Sequence, residues 1–197
     1  AQAAGVQMLT VHGRTREQGY KGMAEHDTVA HIKSRVTIPV VANGDVNSPQ
    51  AARDVLARTG ADAVMVGRAA QGRPWIFREI AHFLGTGVEL PPPTRTELKT
   101  WMLAHLLEHY ELYGEYSGVR SARKHLGWYA QSFADPSAWR ASSLRERINT
   151  STTCDTQLAA VTDWFDEWDV LGHLPGMVHP SSLVTANPIL DPWKLAA

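Results

Sequence analysis

Strand-like and helix-like patterns alternate three times within the first 84 residues, and that alternation restricts this part of the chain to a parallel sheet with helices laid against it. The apolar runs are Val6–Val11, Ile38–Ala42 and Ala63–Val66. Each leads into a helical stretch: Thr28–Arg35, a segment from Ser48-Pro49 to Gly60, and Pro74–Leu84. Ser48 is placed to cap its helix, and Pro49 suits the first helical position, where a missing N–H costs nothing. Near-continuous apolar strands predict a sheet covered on both faces. The units recur about every 26–28 residues, the period of a (β/α) barrel, which needs eight units in ~250 residues to close. Three units cannot close one, and as an open sheet they leave two exposed edges. The opening AQAAG reads as the last turn of a helix ended by Gly5. The chain therefore reads as starting inside a repeating unit, as a fragment or a processed piece.

After the third unit the pattern changes. Residues 85–96, with two glycines and three consecutive prolines, read as a linker leading to Thr96 as a helix N-cap. Residues 97–168 read as a small all-α bundle: Glu97–Tyr113, Val119–Phe133, Trp139–Ile148 and Thr153–Trp168, the first carrying Leu98, Met102 and Leu106 at helical spacing. Residues 169–197 hold Pro175, Pro180, Pro188 and Pro192 without any usable period and are expected to be a disordered tail. The predicted architecture is thus α/β, about three βα units in residues 1–84, followed by a helical domain.

Composition removes several function classes. The 197 residues carry 19 Lys and Arg against 20 Asp and Glu, a balance that excludes a generally basic or acidic protein. One cysteine, Cys154, excludes an internal disulfide and points to a reducing, cytoplasmic setting. No apolar run approaches the ~18–20 residues that cross a bilayer, so no membrane role is expected. The nine histidines are scattered, and with the single cysteine they give no metal-ligand spacing. Nothing in the sequence indicates an oligomer. Charge is concentrated locally, however: residues 120–150 hold six basic and two acidic groups, a basic stretch inside a neutral chain.

Chemistry is expected where βα loops gather at the C-terminal ends of strands. Three polar clusters fall there: His12-Gly13-Arg14, Asn43-Gly44-Asp45 and Gly67-Arg68. Arg and Asn side chains together with backbone N–H groups suit a phosphate, and glycine lets the backbone approach it. Equally, Gly44 and Gly67 could serve only as tight turns. His12 has three readings open: phosphate donor, general acid or simple loop histidine. In the second domain Arg120 and Lys124 share a helix face, with Arg123 alongside, opposite the apolar stripe of Val119, Ala122, Leu126 and Tyr129. Such a face suits a phosphodiester backbone, or it is a solvated surface. Cys154 has no neighbouring His or Arg to activate it and reads as an inert thiol. The tryptophans at 101, 128, 139, 164 and 168 read as core.

Four segments, LTVHGRTR (Leu9–Arg16), IPVVANGDV (Ile38–Val46), GADAVMVGRAAQGRPWIFREI (Gly60–Ile80) and VRSARKHLGWY (Val119–Tyr129), closely resemble the C-terminal part of tRNA-dihydrouridine synthases of the bacterial B type. The resemblance covers about residues 1–168. It implies the last strands of an FMN-binding TIM barrel followed by a helical tRNA-binding domain. It further implies reduction of the C5–C6 double bond of particular tRNA uridines, with NADPH as reductant. Carried over residue by residue, His12, Asn43, Gly44, Asp45, Gly67 and Arg68 become FMN-binding positions. Arg120, Arg123, Lys124 and His125 become tRNA-facing ones. The family's proton-donating cysteine, in an Asn-x-Gly-Cys-Pro loop, has no counterpart here, so no catalytic residue is assigned within this chain. Taken alone, the chain is expected neither to retain FMN nor to reduce uridine. The alternatives are a stand-alone tRNA-binding module without catalysis, or a flavin enzyme for small pyrimidines or enones. The basic helix argues against the last.

Overall fold

A computed structural model describes residues 1–133 and 143–171. The chain divides into two compact units, Ala1–Leu90 and Pro91–Ala197.

In the first unit, strands β1 (Leu9–His12), β2 (Val40–Asn43) and β3 (Ala63–Met65) form one parallel sheet in that order. Leu9 stands opposite Val40, Val11 opposite Ala42, and Ala42 opposite Val64. Helices α1 (Asp27–Lys33), α2 (Pro49–Thr59) and α3 (Ile76–Thr86) follow the strands. Ser48 does cap α2, its hydroxyl accepting from the Ala51 N–H at 3.0 Å. Val29, Ala52, Val55, Ile76 and Ile80 from the helices enclose Val40 and Ala42 of β2, with Leu9, Val11 and Val64 packed alongside.

The expectation of two covered faces needs correction. The registers place Thr10, His12, Val41, Asn43, Ala63 and Met65 together on the other face. All six are exposed or only half-buried, so among the described residues helices cover one face only. Apolar strand composition reports that both faces can be buried, and it does not report by what. The strands are also shorter than their apolar runs. Met8 is 55% exposed and lies ahead of β1, which starts at Leu9.

The second unit, among the described residues, is helical. Its first helix, α4 (Arg95–Phe133), is interrupted at Gly114, whose φ of 70° and ψ of 170° are far from helical. A side chain there would be strained, so glycine is the residue that permits the reversal. The two limbs, 95–113 and 115–133, run back against each other, because His109 meets Ser121 while His105 meets Tyr129. The N-terminal limb is capped by Thr94 rather than Thr96. Glu97 accepts from the Thr94 N–H at 2.8 Å while its own N–H reaches the Thr94 hydroxyl at 3.3 Å, a reciprocal cap.

Helices α5 (Ser143–Thr150) and α6 (Cys154–Leu171) complete the unit. Leu144 and Ile148 of α5 and Val161, Trp164 and Phe165 of α6 join Met102 and Leu126 in its core, Trp164 stacking on Phe133 at 5.6 Å. Trp164 is thus core as expected, whereas Trp101 and Trp128 are half-buried. Ion pairs Lys99–Asp166 and Arg147–Asp163 tie α6 to α4 and α5. The helix expected to start at Trp139 is described only from Ser143. The expected tail, with Trp139 and the side chain of Trp168, lies outside the described residues except that α6 continues to Leu171.

A candidate phosphate cradle and a basic helix face

The C-terminal ends of β1, β2 and β3 bring His12, Asn43 and Met65 side by side on the uncovered face. The Asn43 amide donates to the Met65 carbonyl at 2.9 Å, crossing to the neighbouring strand. His12 Nδ1 lies 3.3 Å from the Asn43 carbonyl oxygen, which also accepts from the Gly13 N–H at 2.9 Å. The exposed His12 ring therefore keeps Nε2 for other contacts.

Gly44 and Asp45 follow with positive φ of 128° and 51°. A Cβ on Gly44 would stand 2.6 Å from that of Ala24, so glycine is needed there for conformation and for space. Asp45 has no such freedom, and an ion pair holds it. One Arg14 nitrogen, Nη2, donates to both carboxylate oxygens at 2.7 Å, and the Ala24 N–H donates at 2.6 Å. The same Arg14 nitrogen reaches the Gly22 carbonyl at 2.8 Å. The loop between β1 and α1 is thereby folded onto Asp45, with the Arg14 side chain only 1% exposed. Burial alone would raise the Asp45 pKa. Arg14, the Ala24 N–H and the charge of Arg68 outweigh it and hold the carboxyl below its ordinary range.

Arg68 stands 3.9 Å from Asp45 with its guanidinium 4.5 Å from the Tyr20 ring centre. Gly67, just before it, is exposed, and a Cβ there would meet nothing within 4 Å. The open side of this end of the sheet thus presents His12, Asn43, Gly67 and Arg68. Gly44 and Asp45 sit beneath, binding loop to loop. Sequence reasoning placed all six at one end of the sheet but missed the Arg14–Asp45 pair and Tyr20. A separation of 31 residues leaves that pair no local spacing signal.

In the second unit the four residues of the basic helix part ways. Arg120 is exposed, donates to the Tyr116 carbonyl at 3.1 Å and lies 3.7 Å over the Tyr116 ring. Lys124 is exposed, its ammonium 5.0 Å from the Trp128 ring. Arg123 turns inward to the Ser151 carbonyl at 2.9 Å, and its Nε is buried without a partner. His125 is half-buried in a group of imidazoles, 5.1 Å from His105 and 5.2 Å from His109 between ring centres. No group of three His, Cys, Asp or Glu among the described residues is arranged to hold a metal ion. No described helix is long and apolar enough to cross a membrane. Cys154 lies at the start of α6, its thiol pushed up first by burial and then by Glu115 and Asp155.

The imidazole group has a consequence for stability. Burial, then the charges of His105, His109 and Lys124, push His125 down to about 4. Burial followed by His109 lowers His105 as well, against an opposing Glu108. Unfolded imidazoles titrate near ~6.5. Between the folded and unfolded values the unfolded chain binds more protons, so stability is complete above about pH 6.5 and falls towards pH 4. The melting temperature should drop across that window, and His125→Gln should flatten the drop. An equally steep drop in the variant would contradict this origin.

The family model described as dihydrouridine synthase (Dus) matches residues 1–165. A tRNA-dihydrouridine synthase B from Xanthomonas axonopodis is 54% identical over 166 residues, covering 84% of this chain and 48% of that protein. Proteins of the same name from Shewanella oneidensis and Pseudomonas aeruginosa are 52% and 50% identical over 167 residues, each covering 85% of this chain and 50% and 49% of the relative. The chain therefore spans about half the length of the curated relatives it matches. With the family model matched along both units, through the strand ends and the basic helix alike, the chain belongs to the dihydrouridine synthase family.

Proposed function

We propose that the two units form the phosphate-holding side and the RNA-binding side of an FMN-dependent enzyme that reduces the C5–C6 double bond of tRNA uridines with NADPH. The strands would then be the last of a TIM barrel, with the uncovered sheet face turned to its interior. The observation that carries this reading is the set of polar side chains at the strand ends: His12, Asn43 and Arg68 around the open space beside Gly67.

That set fits the phosphate end of a flavin mononucleotide. Arg68 supplies a permanent cation, His12 an exposed ring edge with Nε2 left open, and the Gly67 backbone a surface without a side chain in the way. FMN, when bound, supplies the two-electron reducing chemistry that side chains lack. Asp45 would act one step removed, fixing Arg68 and the Arg14 loop in place. Cys154 is not the proton donor in this reading. It belongs to the second unit, and its raised pKa and Glu115 contact give it no activated character. The donor would come from a segment outside these 197 residues. In the cytoplasm the substrate would be tRNA, met by Arg120 and Lys124, with the target uridine unstacked to reach the flavin.

Equilibrium binding of unmodified tRNA to the 197-residue chain tests the RNA half of this reading. Two phosphate contacts should weaken binding about tenfold between ~50 and ~200 mM salt. The double variant Arg120→Glu, Lys124→Glu should bind more weakly still and lose that salt dependence. Unchanged binding by the double variant would defeat the assignment of this face.

A further inference from the structure

On the second limb of α4, Tyr116, Arg120, Lys124 and Trp128 recur every four residues, about 6 Å apart along the axis. Two of the three steps are cation–π contacts, Arg120 on Tyr116 and Lys124 on Trp128. Tyr116 is 73% exposed, so its ring contributes little to the core of the unit.

The charge pattern is not that of an ordinary solvated helix. Such a helix places carboxylates three or four residues from its cations. Here the neighbours of Arg120 four residues away are Tyr116 and Lys124, and those of Lys124 are Arg120 and Trp128, while the positions three away hold Ser117, Arg123, Ser121 and Gly127. No Asp or Glu occurs from Tyr116 to Ala134. Glu115, at the near end of the stripe, is engaged by the Cys154 N–H at 3.0 Å.

Cations alone suffice to bind a duplex, whose bases are stacked away. A cation pair flanked at each end by a ring, Tyr116 exposed and Trp128 half-buried, suits a strand whose bases are free to stack. We propose that this stripe binds a single-stranded stretch of RNA, with bases stacked on Tyr116 and Trp128 and phosphates on Arg120 and Lys124. The inference rests on the RNA-binding reading above and narrows it to unpaired nucleotides.

The test compares fluorescently labelled oligouridylate with a blunt RNA duplex of equal phosphate number, each titrated with the full 197-residue chain. The parent chain should prefer the single strand. Tyr116→Leu should weaken oligouridylate binding about tenfold and leave duplex binding unchanged, whereas Tyr116→Phe, which keeps the ring, should bind as the parent does. A parent that favours the duplex, or a Tyr116→Leu chain that binds oligouridylate as tightly as the parent, would overturn the stacking role while leaving the RNA-binding reading standing. A parent that binds neither RNA would overturn both.

Discussion

Arg14→Leu is expected to destabilise the sheet-bearing unit by about 3–5 kcal/mol, the usual cost of removing one partner from a buried ion pair. The Asp45 side chain is 19% exposed, so in the variant its carboxylate would keep the Ala24 N–H and the more distant Arg68 but lose both short contacts to Arg14. The Gly22 carbonyl would lose its donor as well. Asp45 also sits at a φ of 51°, a conformation that those bonds help to maintain. Urea unfolding of the chain, followed by circular dichroism, measures the effect. A loss below about 1 kcal/mol would mean that the pair is effectively solvated, as surface pairs are. Replacing Arg14 and Asp45 together by leucine should recover part of the loss, because the Asp45 carboxylate is then no longer left without Arg14. That recovery would separate the burial of a lone charge from the ordering of the loop.

Gln157→Leu is expected to cost the helical unit about 3 kcal/mol, through three hydrogen bonds lost in a site without water access. The Gln157 side chain is fully buried. Its amide donates to the Val119 carbonyl at 3.2 Å and the Ile148 carbonyl at 3.1 Å, and its oxygen accepts from the Tyr110 hydroxyl at 2.6 Å. One side chain of α6 thereby joins both limbs of α4 to the end of α5, where the Ile148 carbonyl lies within the last turn and needs an outside donor. Burial raises the Tyr110 pKa well above its ordinary value, which keeps its hydroxyl a donor. Tyr110→Phe removes one bond only and should cost about 1 kcal/mol. If Gln157→Leu unfolds at the parent's urea concentration, the leucine packs well enough to offset those bonds, and the knot is not what aligns these helices.

These two positions show where reading the sequence stops. Signals confined to a few residues were legible: the three βα units, Ser48 and Pro49 at the start of α2, Gly60 at its end. The ladder of strand ends that gathers His12, Asn43 and Arg68 followed from the topology those units imply. Contacts between distant residues left no such trace. Arg14 and Asp45 are 31 positions apart, and Gln157 meets Tyr110 across 47. Charge alone could not separate Arg123, which turns to Ser151, from Arg120 and Lys124, because periodicity places it at the border of the apolar stripe. The break at Gly114 was legible only as a gap between two helices. The structure shortens that gap to one non-helical residue, so His109 and Ser121 come within 2.7 Å.

The central claim is that these two units supply the flavin-phosphate and RNA-binding parts of a uridine-reducing enzyme. It is tested most directly by grafting residues 1–171 in place of the matching half of the Xanthomonas axonopodis tRNA-dihydrouridine synthase B. Dihydrouridine formed in unmodified tRNA would then be measured by mass spectrometry. The account predicts that the chimera binds flavin and forms dihydrouridine, and that Arg68→Ala in the chimera weakens flavin binding. A folded, flavin-loaded chimera that binds tRNA yet forms no dihydrouridine would contradict it and favour an RNA-binding unit without catalysis.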